Sequence, residues 1–405
     1  MTSVCIEHFN GQEISLKVPT SKSYGHRALI ATSLAKGVSS IQNLSDNQDI
    51  QATMACLRGL GVSFRQDGTQ IFVQSNFHLQ DKLVLDCHES ASTLRFLIPL
   101  ALTGNSPIEF TGTKRLLERG QMVYEKLAKE KDFLFQKEAY SILVKGPIQA
   151  GHYVVDGGIS SQFITGLLFA LPLLDGNSSL EIKGKLVSKD YVEMTLDMLR
   201  LAKIKVEKQG NCYFIEGNQN YQAFDYGVEG DYSSAAFLFA LAFLQNKDIH
   251  IENLNNHSKQ ADFKIIEFLK QLETRQASFF DVEDCPDLAP ILMAVASQLE
   301  GRSHFKNIHR LRMKESDRVQ AMKEELEKLG IEMEVYANDA FITGGRLKPN
   351  QVLYGHQDHR IVMALSVLAT LTNHTMIQGS EAVQKSYPQF FNDLKKLGVR
   401  VEEKE

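Results

Sequence analysis

The chain has 405 residues, 43% hydrophobic and 23% charged, with a formal net charge of −5. That composition is globular, and the length predicts two or three domains. The slightly negative balance argues against general nucleic-acid or membrane-surface binding, so any anion must be held by locally placed Lys and Arg.

The opening MTSVCIEHFN has no basic segment followed by an apolar one, so no secretory leader is expected. A first strand is predicted near Val4 to Val18, pairing with the other domain. From Ser21 onward one pattern recurs six times, a small polar or charged cluster leading into an apolar, Ala/Leu-rich helix. The copies read SKSYGHRALIATSLAKG from Ser21, ESASTLRFLIPLALTG from Glu89 and SSQFITGLLFALPLLDG from Ser160. They continue as GDYSSAAFLFALAFLQN from Gly230, DCPDLAPILMAVASQLEG from Asp284 and QDHRIVMALSVLATLTN from Gln357. Successive starts lie about 55 to 70 residues apart, a period that indicates repeated supersecondary units. The most apolar run, Phe163 to Leu174, is too short to span a membrane and contains a Pro.

Each repeat also carries a second, amphipathic helix. Examples are DIQATMACLRGLGVSF from Asp49, DYVEMTLDMLRLAKIKVE from Asp190, SDRVQAMKEELEKLGIEMEV from Ser316 and YPQFFNDLKKLGVRVEE from Tyr387. GQMVYEKLAKEKDF from Gly120 and DFKIIEFLKQLE from Asp262 complete the set. The LGV and LGI endings place Gly just past a last turn and before a strand. The repeat is therefore strand, buried helix, strand, exposed helix, strand. The short interval between the fourth and fifth copies predicts trimmed strands there. Six repeats group as three plus three, with a break near Ala223 to Gly230. The first domain is expected over 19–226 and the second over 1–18 plus 227–405, sharing a cleft.

A polar cluster opening a buried helix sits where free backbone N–H groups and the positive dipole end point. Several such ends together suit a heavily anionic small molecule. Lys22 and Ser23, with Arg27 one turn later, lack the P-loop pattern but can clamp a phosphate or carboxylate. Arg310, Arg312, Lys314 and Arg318 surround the start of the fifth exposed helix. As a plain helix start, with Ser316 as N-cap, that cluster opposes the dipole; with an anionic ligand it makes sense. Asp358-His359-Arg360 opens the sixth buried helix and Lys385 follows, while Arg95 and Arg119 extend the cationic set. His359 on its own reads as a packing or capping residue. Asp287 and Glu315 are candidates for acid/base work. The five cysteines have no CxxC or Cys/His spacing, which predicts reduced, mostly buried thiols and a cytoplasmic setting.

From Pro19 to the C-terminus the chain resembles the 5-enolpyruvylshikimate-3-phosphate synthase family of enolpyruvyl transferases. The resemblance rests on SKSxxxR at Ser21, SSQFxTxLL at Ser160, the Asp287 turn, KESDR at Lys314, DHR at Asp358 and Lys385 in QKSYPQFF. It implies an α/β fold, a two-domain inside-out α/β barrel with three βαβαββ units per domain and the active site in the interdomain cleft. It also implies transfer of the enolpyruvyl group of phosphoenolpyruvate (PEP) to the 5-hydroxyl of shikimate 3-phosphate. The path is addition then elimination, with no metal or organic cofactor. By motif position Lys22, Arg119, Arg318, Arg360 and Lys385 hold PEP, with Gln162 beside both substrates. Ser23, Arg27, Ser160, Ser161, Ser188, Tyr191 and Lys314 hold shikimate 3-phosphate. Asp287, Glu315 and Lys22 are the catalytic candidates, and which acts in which proton transfer is left open. A monomer is expected, with no nucleic acid or membrane as partner.

The chain departs from the family pattern at several points. Ala91 stands where the family has a Gly against PEP, which predicts that glyphosate, longer than PEP, is excluded. Glu89, Thr20, Gly120 and Arg310 replace Asn, Gly, Pro and Asn. Two rivals remain: the sister transferase acting on UDP-N-acetylglucosamine, and a non-catalytic anion binder. The first typically carries a loop Cys in the stretch matching Thr111 to Gln121, where this chain has none. The second needs cations but no paired carboxylates.

Overall fold

A computed structural model describes residues 2–9, 11, 15–80, 82–372 and 374–404. The chain divides into two compact units, Thr20–Glu229 and Met1–Pro19 with Gly230–Glu405.

In Thr20–Glu229 the repeat is complete three times. The middle copy shows the plan. Leu83–Asp86 and Ile108–Thr111 run parallel on either side of the helix Ala91–Ala101, and the hairpin Leu134–Lys137 and Ser141–Lys145 adds antiparallel strands. The order across each four-stranded sheet is first, second, fourth, third. The third copy repeats this with His152–Asp156, Ser178–Lys183, Val206–Gln209 and Cys212–Ile215. The first copy takes its leading strand from the far end of the unit, because Asp225–Gly227 pairs parallel with Val38–Gln42.

Among the described residues the other unit carries two complete sheets and one reduced to a pair, Ser15–Leu16 with His250–Ile251. The trimmed strands expected after the fourth copy are this pair. In the last sheet Ser3–Phe9 takes the fourth strand position, pairing with Thr375–Gln378 and Val399–Lys404. Of the long first strand expected over Val4 to Val18, residues 10 and 12–14 lie outside the described residues. All six sheets stay open, and none closes into a barrel among the described residues.

The six buried helices are Lys22–Leu34, Ala91–Ala101, Ser161–Ala170, Tyr232–Gln245, Ala289–Ala296 and His359–Ala369. They are buried along most of their length, and every residue of the sixth is buried. Side chains close four of their openings: Ser21, Ser90, Ser160 and Asp358 each accept a first-turn N–H. Two buried helices approach closely at Gly166, where a Cβ would collide with the Arg95 carbonyl oxygen and lie 2.8 Å from Tyr124 Oη.

Three exposed helices end as their Leu-Gly sequences predict. Gly61, Gly330 and Gly398 follow the C-cap residues Leu60, Leu329 and Leu397 with φ of 87°, 85° and 91°. No helix among the described residues is long and apolar enough to cross a membrane.

Candidate active site

The predicted residues fall into two sets, one on each unit. In Thr20–Glu229, Lys22 opens the first buried helix and its Nζ lies 2.8 Å from Asp49 Oδ2. Asp49 comes from the first turn of the following exposed helix, where the dipole favours a carboxylate. Ser23 is part-exposed beside it. Arg27 points inward instead. It is 2% exposed, donates to Thr195 Oγ1 at 2.9 Å and to the Ser23 carbonyl at 2.8 Å, and lies over the Phe96 and Tyr191 rings. Burial pulls its guanidinium down to about 10. Arg27 thus braces Ser23 and Tyr191 from behind.

A second group joins the second and third buried helices. Arg95 donates to Gln162 Oε1 at 2.8 Å and to the carbonyls of Arg119 and Gly120 at 3.0 and 3.2 Å. Gln162 in turn donates to Ser92 Oγ at 3.0 Å. Arg95 therefore fixes both the Gln162 amide and the backbone that carries Arg119. Ser160 caps the third helix by accepting from the Gln162 N–H at 3.3 Å, and Ser161 is buried in its first turn. Ser188 caps the helix Lys189–Leu201 with a left-handed φ of 54°, and Tyr191 follows in its first turn. Ala91 is buried at the start of the second helix, while Glu89 is exposed.

The other unit concentrates charge. Arg318 is 1% exposed and binds three carboxylates: Asp287 Oδ1 at 2.8 Å, Glu315 Oε2 at 2.7 Å and Asp358 Oδ2 at 2.8 Å. Asp287 also meets Lys314 Nζ at 3.1 Å and Arg360 Nη2 at 3.3 Å. Lys385 Nζ lies 3.9 Å from Glu315 Oε1. Burial alone would raise the Asp287 carboxyl, but Arg360, Lys314 and Arg318 together hold it well below the usual carboxylate range. Asp358 is likewise held at about 2 by Arg318 against its burial. For Lys314 burial wins over Asp287, and its ammonium is pulled down to about 8.

Asp317, not Ser316, caps the helix Arg318–Lys328. Its carboxylate accepts from the Val319 and Gln320 N–H groups at 3.1 Å each. The Ser316 hydroxyl is turned away and donates to Asp358 Oδ2 at 3.0 Å. Arg310, unexplained by sequence, is buried and donates to the Glu283 carbonyl at 3.1 Å.

Elsewhere Glu324, Glu325 and His356 bring three metal-ligating atoms within 4.8 Å of one another. They do not fit an ion. Lys328 Nζ lies 2.8 Å from both Glu325 oxygens, and the Tyr354 N–H and His356 Nε2 take the remaining capacity.

Sequence reasoning found the ends of these networks and missed their braces. Asp49, Arg95 as an organiser of Gln162, and Asp358 as the anchor of Arg318 act through contacts between distant segments. A carboxylate in a first turn was the one available signal for Asp49.

What the arrangement can do is hold anions and move protons. Lys22, Ser23, Gln162, Arg119 and Tyr191 are part-exposed on one unit, and Asp287, Lys314 and Glu315 on the other. Residues 7–394 match the profile of the family described as EPSP synthase (3-phosphoshikimate 1-carboxyvinyltransferase).

The chain belongs to the EPSP synthase family.

Its relatives in that family include 3-phosphoshikimate 1-carboxyvinyltransferases from Clostridium kluyveri and Clostridium acetobutylicum. These are 40% and 39% identical, each over 96% of both chains. Among solved structures it is similar to an EPSP synthase from Acinetobacter baumannii, with a TM-score of 0.83, 22% identity and full coverage of both chains. It is also similar to the enolpyruvyl transferase NikO from Streptomyces tendae, with a TM-score of 0.78 and 14% identity over 100% of this chain and 99% of that one. These two show the fold alone. Family membership across nearly the whole length gives the reaction, enolpyruvyl transfer in the shikimate pathway.

Proposed function

We propose that the two residue sets act on one substrate pair, shikimate 3-phosphate and PEP. The single observation that carries this reading is the carboxylate Asp287, kept ionised by Arg360, Lys314 and Arg318 and linked through Arg318 to Glu315.

Lys22, Arg119, Arg360 and Lys385 hold the phosphate and carboxylate of PEP, with Gln162 beside both substrates. Arg318 lends its charge to that group while tying the three carboxylates together. Ser23, Ser160, Ser161, Ser188, Tyr191 and Lys314 hold shikimate 3-phosphate, and Arg27 supports two of them. In the addition step Asp287 accepts the proton of the attacking 5-hydroxyl, whose oxygen bonds to C2 of PEP. Glu315 delivers a proton to the PEP methylene, forming the methyl group of a tetrahedral ketal phosphate. In the elimination a proton leaves that methyl group to Glu315, the C2–O bond to phosphate breaks, the enolpyruvyl double bond re-forms, and the departing phosphate takes the proton held by Asp287. Asp287 faces three cations that keep it ionised and ready to take the proton, while Glu315 lies against Arg318 and Lys385.

Replacing Asp287 by Asn removes the base while keeping its size. The expected outcome is a fall in kcat of about 10²- to 10⁴-fold. Unchanged kcat would remove Asp287 from the proton transfer.

Ala91 places a methyl where the family's Gly meets PEP, and it is buried at a helix start. Glyphosate is expected to inhibit only weakly at fixed PEP, and Ala91→Gly to tighten that inhibition. Equal inhibition of both forms would contradict this. The protein works in the cytoplasm as a monomer, in keeping with five free cysteines and scattered exposed apolar residues. A light-scattering mass near 45.5 kDa supports the monomer, and twice that mass rejects it.

A further inference from the structure

Asp262 takes no part in the scheme above, yet it lies beside it. It sits in the turn Ala261–Phe263, just before the helix Lys264–Gln271, and is 1% exposed. Ser233, in the first turn of the fourth buried helix, donates its hydroxyl to Asp262 Oδ2. The other oxygen, Oδ1, is buried with no hydrogen-bond partner among the described residues. A carboxylate with one buried oxygen that no protein donor meets is costly to keep charged.

The titratable groups facing Asp262 come from the neighbouring helix starts: Asp287, Arg360 and Asp231, with the Cys285 thiol close by. Burial first, then the charge of Asp287, pushes the Asp262 carboxyl up to about 6, against Arg360 and the Ser233 hydroxyl. Arg360 already donates to Asp287 through Nη2 at 3.3 Å and to the Asp287 carbonyl through Nη1 at 3.3 Å. Two carboxyl groups therefore compete for the field of one guanidinium, and one of them is poised to drop out by taking a proton.

We propose that Asp262 is a positioning residue that sets how strongly Arg360 holds the substrate anion. Neutral Asp262 leaves the charge of Arg360 to Asp287 and the bound anion. Ionised Asp262 draws on the same guanidinium and repels the anion. The role rests on the assignment of Arg360 to PEP. Linkage makes it reciprocal: if ionisation of Asp262 weakens the anion, binding of the anion strengthens the hold of Asp262 on its proton.

The test is kcat and KM for PEP, followed by phosphate release from about pH 5 to about pH 8, for the wild type, Asp262→Asn and Ser233→Ala. Ionisation of the substrate is common to all three proteins and cancels in the comparison. In the wild type KM is expected to rise with pH through about 6, by roughly three- to tenfold beyond the substrate's own effect. Asp262→Asn, neutral throughout, removes that rise and lowers KM at the upper end by the same factor, with kcat within about twofold. Ser233→Ala removes a bond that favours the carboxylate, so the break moves to higher pH; it carries the same test should Asp262→Asn fail to fold. A uniform offset at every pH, with the break unmoved, is what a purely structural residue gives, and it overturns the proposal. Absence of phosphate release in the wild type overturns the reading of Arg360 and this role with it. Release with unmoved profiles overturns the role of Asp262 alone.

Discussion

Lys314 is an ammonium between opposed neighbours, the carboxylates Asp287, at 3.1 Å, and Glu315 on one side and the cations Arg318 and Arg310 on the other. Burial decides the balance and leaves it titrating at about 8. Under the proposed assignment of Lys314 to shikimate 3-phosphate, it is charged below that value and attracts the substrate; above it the proton is lost and the attraction with it. The affinity for shikimate 3-phosphate is therefore expected to fall as pH rises through about 8, and Lys314→Arg, charged throughout, to flatten that fall. Calorimetric titration across that range checks it, and a flat wild-type profile would contradict it. At this scale the sequence was readable wherever a residue opens a helix, as with Lys22, Asp287 and Arg360. It was silent on Asp49, Asp262 and the bracing of Gln162 by Arg95. Those depend on which distant segments fold against one another, and no local pattern encodes that choice.

The helix ends show what local chemistry does encode. Leu-Gly-Val and Leu-Gly-Ile endings reach the left-handed conformation because Gly has no Cβ to clash there. The exposed helix Lys189–Leu201 makes the same turn without a Gly. Lys203 takes φ of 61°, and the Ile204 N–H bonds back to the Leu199 carbonyl at 2.8 Å, as the Val62 N–H does to Leu57 at 3.0 Å. Lys203→Gly is thus expected to stabilise the protein by about 0.5–1 kcal/mol, read as a higher urea midpoint at unchanged slope. Loss of stability would show that the Lys203 side chain contributes more than its backbone strain costs. The N-cap falls on Asp317 and not Ser316 for a related reason. Ser316 and Asp317 are both good caps, and the choice fell to tertiary structure, which gave the Ser316 hydroxyl a buried acceptor in Asp358.

Across the whole molecule, the six-fold repeat was legible because each copy must bury one helix and expose the other. That leaves a period in hydrophobicity. Less legible was the strand that the first sheet borrows from far along the chain, whereas pairing of the first strand with the other domain was expected. Asp225–Gly227 completes the first sheet, and Ser3–Phe9 completes the last. Short strands carry little pattern, and their partners are set by the closure of each unit. The repeats supply equivalent helix starts, and substitutions among them divide the labour. Two became cation sites at Lys22 and Arg360, one a carboxylate at Asp287, and one the polar Ser160-Ser161-Gln162 group. The fourth, which sequence reading left without a contact, carries Ser233, whose hydroxyl donates to Asp262.

The identity of the acceptor is the most direct test of enolpyruvyl transfer to shikimate 3-phosphate. Purified protein with PEP should release inorganic phosphate when shikimate 3-phosphate is supplied, in equal amount to the acceptor consumed, and none with UDP-N-acetylglucosamine. Release with the sugar nucleotide and none with shikimate 3-phosphate would contradict it.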